Sequence, residues 1–474
     1  MATKTSDADR GSGYDTAKVI QLATVAALGG FLFGFDTAVV NGAVGAMRDD
    51  FQMGAGLTGF VVSSALLGCM AGAYGAGQLA DKIGRLKVMF IASAMFTISA
   101  IGSGLAFGPI DMIVWRVIGG VGVGAASVIA PAYIAEISPA KIRGKMGSLQ
   151  QMAIVTGIFI ALLSDFALAG AAGGSANELW LGLEAWRWMF IVEVLPALAY
   201  GVLASTIPES PRYLMALGEE SKAREILGLV LHRGVDERIK EIKRTVQRDR
   251  KRSLSDLTKP AGGLLPIVWI GVGLSVFQQL VGINVIFYYS STLWQAVGFT
   301  EEDALIQTVI TSITNIAVTI VAISLIDRIG RRILLMVGSA GMTLSLGTLC
   351  FVFSQAPIVT SADGTSGPEL GDTSGVVALL AANMFVVFFG MSWGPAVWVL
   401  LGEMFNNKIR GAALGLAAAA QWLANFAIST TFPSMAALGL WFAYGFYTLA
   451  AAVSLVFVFK FVPETNNVEL EDMS

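Results

Sequence analysis

Twelve stretches of this chain are predominantly apolar over about twenty residues, enough for each to cross the hydrocarbon core of a bilayer as a helix. Such a chain is confined to a membrane bundle, because in hydrocarbon every backbone amide and carbonyl must be satisfied within its own segment. The runs centre near residues 30, 68, 98, 124, 158, 196, 276, 314, 343, 388, 421 and 451. Composition agrees: 55% of residues are hydrophobic and 14% charged, against roughly 25% charged in soluble domains. The 54 glycines suit close helix packing, as in Gly120-Val121-Gly122-Val123-Gly124.

Between the sixth and seventh runs lies a polar segment, 208–261, whose stretch EESKAREILGLVLHRGVDERIKEIKRTVQRDRKR alternates charges at helical spacing. Short amphipathic helices at the membrane surface are expected there. Lys and Arg gather in 81–87, 141–145, 212–259, 328–332 and 408–410, the even-numbered connections, while 168–185 and 356–375 carry hardly any. The positive-inside rule then puts both termini and the central segment in the cytoplasm. Trp180, Trp186, Trp294 and Trp441 fall near the expected outer ends, as aromatic belts do. The expected organisation is an all-α membrane protein: a tail (1–17), a six-helix bundle (18–207), a cytoplasmic helical linker (208–261), a second six-helix bundle (262–462) and a tail (463–474). The first run, of about twenty-three residues, is too long and too lightly flanked for a cleaved signal peptide.

The two halves share motifs. Asp81-Lys82-Ile83-Gly84-Arg85 returns about half the chain later as Asp327-Arg328-Ile329-Gly330-Arg331. EISPAKIRG (136–144) returns as EMFNNKIRG (403–411), and Pro208-Glu209 as Pro463-Glu464. Soluble repeats recur every 20–50 residues or so, whereas duplicated halves of this length suggest a transporter.

Several chemistries are excluded. The one histidine, His232, is in the polar segment, so a histidine relay, a histidine metal site or Ser-His-Asp catalysis within the apolar body has no histidine to use. Cys69 and Cys350 lie in separate apolar runs and read as small buried hydrophobes, with no disulfide framework. GGFLFG (29–34) and GGVGVG (119–124) superficially suggest phosphate loops, but no strand precedes them and no lysine adjoins them. The linker shows no catalytic constellation. No enzyme activity, cofactor, metal or nucleic-acid partner is expected, and the chain is read as a monomer.

Ionisable groups inside apolar runs cost about 2.5–3.5 kcal/mol each on insertion scales and are functional candidates by default. Asp36 lies in the first run, Arg116 in the fourth and Glu193 in the sixth. Paired, Asp36 and Arg116 read either as a static buried bridge or as a coupling site. The runs also contain amides, which donate and accept hydrogen bonds at once and so suit a hydroxyl-rich ligand. Gln151, Gln278, Gln279, Asn284, Asn315, Gln421 and Asn425 form the strongest set, although any single amide also reads as an interhelical hydrogen bond. Gln278, Gln279 and Asn284 cannot share one helical face, which predicts a break near Gly282.

The chain resembles the sugar porters of the major facilitator superfamily. The resemblance rests on GFLFGFDTAVVNGA (30–43), GQLADKIGRLK (77–87), PAYIAEISPAKIRG (131–144), PESPRYL (208–214), QQLVGINVIFYY (278–289), DRIGRR (327–332) and QWLANF (421–426). Within the family it looks nearest to bacterial proton-linked glucose permeases and the xylose/proton symporter. Two departures are Asn406, where the family often has proline, and the ending PETNN (463–467). The resemblance implies alternating access by rocking of the two bundles around a central sugar site. It makes Asp36 the proton acceptor, Arg116 its partner and Glu193 an assistant. It matches Gln151, Gln278, Gln279, Asn284, Asn315, Trp398, Gln421 and Trp422 to sugar-contacting positions, with Phe33, Tyr288 and Gly394 nearby and Asn425 matching less closely. Arg85, Glu136, Arg143, Arg331, Glu403 and Arg410 match positions that form cytoplasmic bridges holding the inner ends of the bundles together.

A neighbouring guanidinium favours a charged carboxylate and a low-dielectric surrounding favours a neutral one, so a movement that alternates the two could load and release a proton. One proton gains about 2.3 kcal/mol per 100 mV, which supports accumulation on the order of fortyfold. The leading expectation is import of a hexose, with glucose first, by proton symport across a bacterial inner membrane. A passive facilitator, or a symporter for xylose, galactose or inositol, stays open. A sugar sensor is disfavoured by the short tail, and a drug exporter by the amides of 278–288.

Overall fold

The computed structural model describes residues 13–139, 142–248, 257–258, 263–360, 366–405 and 409–464. Among them are 12 helices long and apolar enough to cross a membrane. The first six are Thr16–Asp50, Ala55–Ile83, Arg85–Gly104, Pro109–Ile137, Lys145–Ala172 and Ala185–Ala204. The second six are Pro266–Gln295, Glu301–Ala322, Arg331–Ser354, Asp372–Leu401, Ala412–Leu438 and Leu440–Phe461. Each of the apolar runs read from the sequence falls inside one of them, and the chain is a multi-pass membrane protein.

Four spans are broken, each for a local reason. In the first, Thr37 Oγ1 donates back to the carbonyls of Phe33 (2.8 Å) and Gly34 (3.2 Å), which bends a helix, and the regular pieces Thr16–Ala38 and Val40–Asp50 meet at Val39. In the sixth, Pro196 cannot bond the carbonyl four residues back, and the pieces Ala185–Ile191 and Val194–Ala204 are separated at Val192 and Glu193. In the tenth, Pro395 acts the same way on Met391, dividing Asp372–Met391 from Trp393–Met404. The seventh divides at Gly282, which adopts φ +82°, a left-handed conformation natural to glycine. The sequence predicts only this last break.

The duplicated loops are duplicated in geometry. Gly84 (φ +98°) and Gly330 (φ +92°) turn the chain before the third and ninth spans, and a Cβ on either would press on a carboxylate: Glu209 Oε2 at 2.3 Å and Glu464 Oε2 at 2.8 Å. Those carboxylates cap the following helices. Glu209 accepts from the backbone N–H groups of Arg85 (3.0 Å) and Leu86 (3.2 Å), and Glu464 from those of Arg331 and Arg332 (both 3.1 Å). The positive end of each helix thus faces a negative charge.

The linker folds into the helices Pro211–Ala216, Glu220–Val230 and Val235–Arg248 around a small core of Leu214, Ala223, Leu227, Ile239 and Ile242. It is tied to the N-terminal segment: Asp15 N–H donates to the Val230 carbonyl and His232 N–H to the Gly13 carbonyl, both at 3.0 Å. Two short antiparallel hairpins, Glu178–Trp180 with Leu183–Glu184 and Ile358–Thr360 with Ser366–Pro368, decorate the loops at the opposite end. Strands this short leave no readable alternation in the sequence. The aromatic-belt expectation needs correction at two positions. Trp180 and Trp441 are exposed, but Trp186 (1%) and Trp294 (3%) are packed inside, Trp186 edge-on to Phe51 and Phe190.

Candidate functional site

Three ionisable side chains meet in the interior of the first bundle. Asp36 is in the last regular turn before the first span's break, two residues from its end, Arg116 is in the fourth span, and Glu193 occupies the break of the sixth. Arg116 Nη1 lies 3.0 Å from Asp36 Oδ1 and 3.1 Å from the Asp36 carbonyl oxygen. Both side chains are sealed from solvent, at 3% and 1% exposure. Phe190, one turn ahead of Glu193, stacks its ring 5.7 Å from the Arg116 guanidinium carbon. Glu193 is equally buried and close enough to feel the charges of both partners. Asp36 Oδ2, Arg116 Nε and Glu193 Oε1 have no hydrogen-bond partner among the described residues. A buried ion pair offsets its desolvation best when its remaining lone pairs and protons are satisfied, which those three atoms are not among the described residues.

The amides gather mainly on the second bundle. Gln278 is 3% exposed, and its Nε2 donates to the carbonyls of Trp393 (2.8 Å) and Gly394 (3.3 Å), groups exposed by the break in the tenth span. Its Oε1 has no partner among the described residues, so Gln278 offers an acceptor. Gln279 Oε1 accepts from Asn284 Nδ2 across the break at Gly282, leaving the Gln279 amide nitrogen free to point elsewhere. Gln421 Oε1 is likewise buried and unpartnered among the described residues, and Asn425 Oδ1 accepts from Ser429 Oγ at 3.1 Å. Tyr288 and Asn425 are buried, whereas Gln151, Asn284, Asn315, Gln421 and Trp422 are partly open. Trp398 is the most open of this group at 44%. Phe33 of the first bundle meets Trp422 of the second, ring centroids 5.8 Å apart.

Hydrogen bonds that join the two halves gather at the end away from the basic loops. Asn41 Nδ2 donates to the Phe287 carbonyl and Asn41 Oδ1 accepts from Ser291 N–H, both at 3.0 Å, while Ser291 Oγ donates to the Asn41 carbonyl. Ser63 and Thr430 share a hydroxyl hydrogen bond of 2.6 Å, and Glu301 Oε1 accepts from Ser175 N–H at 2.9 Å. At the basic end two ion pairs each lie within one half. Arg85 makes a bidentate pair with Glu136 (3.0 and 3.1 Å), which also accepts from Ser210 Oγ, and Arg331 Nη2 pairs with Glu403 at 2.8 Å.

A family model described as sugar (and other) transporter matches residues 22–474. The chain belongs to this sugar transporter family. It is 59% identical over 457 residues to a glucose transport protein of Synechocystis sp., covering 96% of this chain and 97% of that protein. It is 37% identical over 495 residues to the D-xylose-proton symporter of Escherichia coli, covering 97% and 96% respectively. Among solved structures, the inward open conformation of the E. coli xylose transporter matches with a TM-score of 0.81 at 36% identity, over 96% of this chain and 99% of that one. The same symporter bound to 6-bromo-6-deoxy-D-glucose matches with a TM-score of 0.77 at 36% identity, over 97% and 99%.

In this transporter the residues singled out from the sequence are brought together unevenly. Asp36, Arg116 and Glu193 converge, and Gln278, Gly394, Gln279 and Asn284 cluster at two helix breaks. In the charged loops the Arg85–Glu136 and Arg331–Glu403 pairs tie spans within a half. Arg143 makes no hydrogen bond or ion pair with another described residue, its Nε being buried. The side chains of Asp327, Arg328 and Arg410, with Asn406 and residues 465–467, lie outside the described residues. Sequence reasoning missed Trp393, whose Nε1 donates to the Leu335 carbonyl (3.1 Å) and Ser339 Oγ (2.9 Å) and so anchors the tenth span's break. It also missed Asn41 and Asp165, polar groups within apolar runs that carried the same signal as Asp36.

Proposed function

We propose that this transporter imports a hexose, D-glucose first, by symport with a proton. The carrying observation is the sealed Asp36–Arg116 pair with Asp36 Oδ2 unpartnered and Glu193 alongside. In this reading Asp36 takes and gives up the proton, Arg116 is the charge it turns to when empty, and Glu193 assists. The names of its relatives, a glucose transport protein and a xylose-proton symporter, support the substrate class and the coupling.

The sugar is held between the halves. Gln278, Gln279, Asn284, Tyr288, Asn315, Gly394, Trp398, Gln421, Trp422 and Asn425 line it from the second bundle, and Gln151 and Phe33 from the first. Unpartnered oxygens on Gln278 and Gln421 would accept from sugar hydroxyls. The basic loops favour a cytoplasmic location for both termini and the linker in a bacterial inner membrane, with bundles at 18–207 and 262–462. Arg85, Glu136, Arg143, Arg331, Glu403 and Arg410 are then cytoplasmic gate residues that stiffen each half in this conformation and re-pair across the halves in the opposite one. Hydrogen bonds gathered at the outer end favour an inward-facing state.

Counterflow in proteoliposomes with a panel of labelled sugars, then uptake with and without an imposed proton gradient, tests both parts. Glucose is expected to exchange best and to accumulate only with the gradient. Equilibration without gradient-driven accumulation would leave a passive facilitator.

A further inference from the structure

The outer piece of the first span, Val40–Asp50, opens with backbone amides that have no acceptor within the helix. One of them, Gly42 N–H, donates to Asp165 Oδ2 at 3.1 Å. Asp165 belongs to the fifth span and is wholly buried (0% exposed), and its Oδ1 has no hydrogen-bond partner among the described residues. The contact is tight by construction: a Cβ at Gly42 would lie 2.6 Å from Asp165 Cβ and 2.8 Å from its Cγ.

The residue before Gly42 is Asn41, which makes the three hydrogen bonds to Phe287 and Ser291 of the other half. We propose that Asp165 is a positioning residue for the outer closure: its carboxyl oxygen fixes the start of the Val40–Asp50 half-helix so that Asn41 meets Ser291 and Phe287. The geometry uses Asp165 as an acceptor, so an isosteric amide that keeps the acceptor keeps the function. A side chain without one frees the Gly42 amide in low dielectric, and the half-helix shifts to satisfy it. The inference rests on the alternating-access reading above.

The test places spin labels at Asp49 and Glu302, exposed at the outer ends of opposite halves, in full-length protein with Cys69 and Cys350 replaced by alanine. Distance distributions are recorded in lipid nanodiscs without sugar. The parent and Asp165→Asn should share one dominant short distance. Asp165→Leu should move the ratio of short to long distances roughly tenfold toward long. Gly42→Ala should act in the same direction, and it keeps the test decisive if Asp165→Leu fails to fold. Short distances retained in both Asp165→Leu and Gly42→Ala, or lost in Asp165→Asn, overturn the assignment. The readout needs neither sugar nor a proton gradient, so a failed symport reading would not mimic a failed closure.

Discussion

Arg116 reaches Asp36 twice with a single nitrogen: Nη1 is 3.0 Å from the carboxylate and 3.1 Å from the backbone carbonyl of the same residue. The guanidinium is therefore fixed to the helix as well as to the side chain. A proton arriving on Oδ2 would weaken one of these bonds and leave the other in place, so Arg116 need not leave for Asp36 to be neutralised.

On the proposed reading, transport and coupling are separable at Asp36. Asp36→Asn should preserve counterflow of labelled sugar while abolishing accumulation driven by a proton gradient. Gradient-driven uptake that survives in Asp36→Asn would remove Asp36 from the coupling step.

Removing the cation should be more damaging than removing the pair. Arg116→Leu strands a carboxylate in the bilayer interior and should lower stability by about 3–5 kcal/mol, whereas Asp36→Asn with Arg116→Leu should recover much of the loss. Thermal unfolding of the single and double variants in detergent measures the coupling directly.

Gln278 directs its donor nitrogen to the tenth span's backbone, and its oxygen has no partner among the described residues. Gln278→Leu should raise the sugar dissociation constant about 10- to 100-fold, since one lost hydrogen bond leaves a ligand hydroxyl unpaired. Equilibrium binding to purified protein checks it; unchanged affinity would take Gln278 out of the site.

Near the outer hairpin, burial works against the Glu184 charge, but its own backbone amide and Arg187, 2.6 Å away, outweigh this and hold its carboxyl below the usual range. A lowered folded-state pKa means that the contribution is present at neutral pH and lost as pH falls through the lowered value. Docking of the hairpin should therefore persist through mild acid, reported by fluorescence of the stacked Trp180 and Trp188 pair, and Glu184→Gln should make that signal indifferent to pH.

Much of this transporter could be read before its shape was known. Spans are written in hydrophobicity, and Asp36, Arg116 and Glu193 stand out because charge is rare in such runs. Partner choice is harder to read. Glu136 and Glu403 each pair with an arginine of their own half, and motifs that share their charged residues in the two halves cannot say which copy binds which. Asn41 and Asp165 were legible as residue types, but that Asp165 would accept from Gly42 N–H beside Asn41 was not, because that bond joins the first span to the fifth across 123 residues of sequence. Three of the four breaks depend on proline or a back-bonded threonine in ordinary-looking apolar sequence.

The twin caps made by Glu209 and Glu464 have a bearing on speed. Glu209, at the start of the linker, caps the third span and Glu464, just past the last span, caps the ninth, so none of these four bonds runs from one set of six spans to the other. Among the described residues, hydrogen bonds between the halves gather around Asn41, Ser63 and Ser175, beside aromatic contacts such as Phe60 with Phe426, so single substitutions at that rim should make a carrier of this build faster or slower.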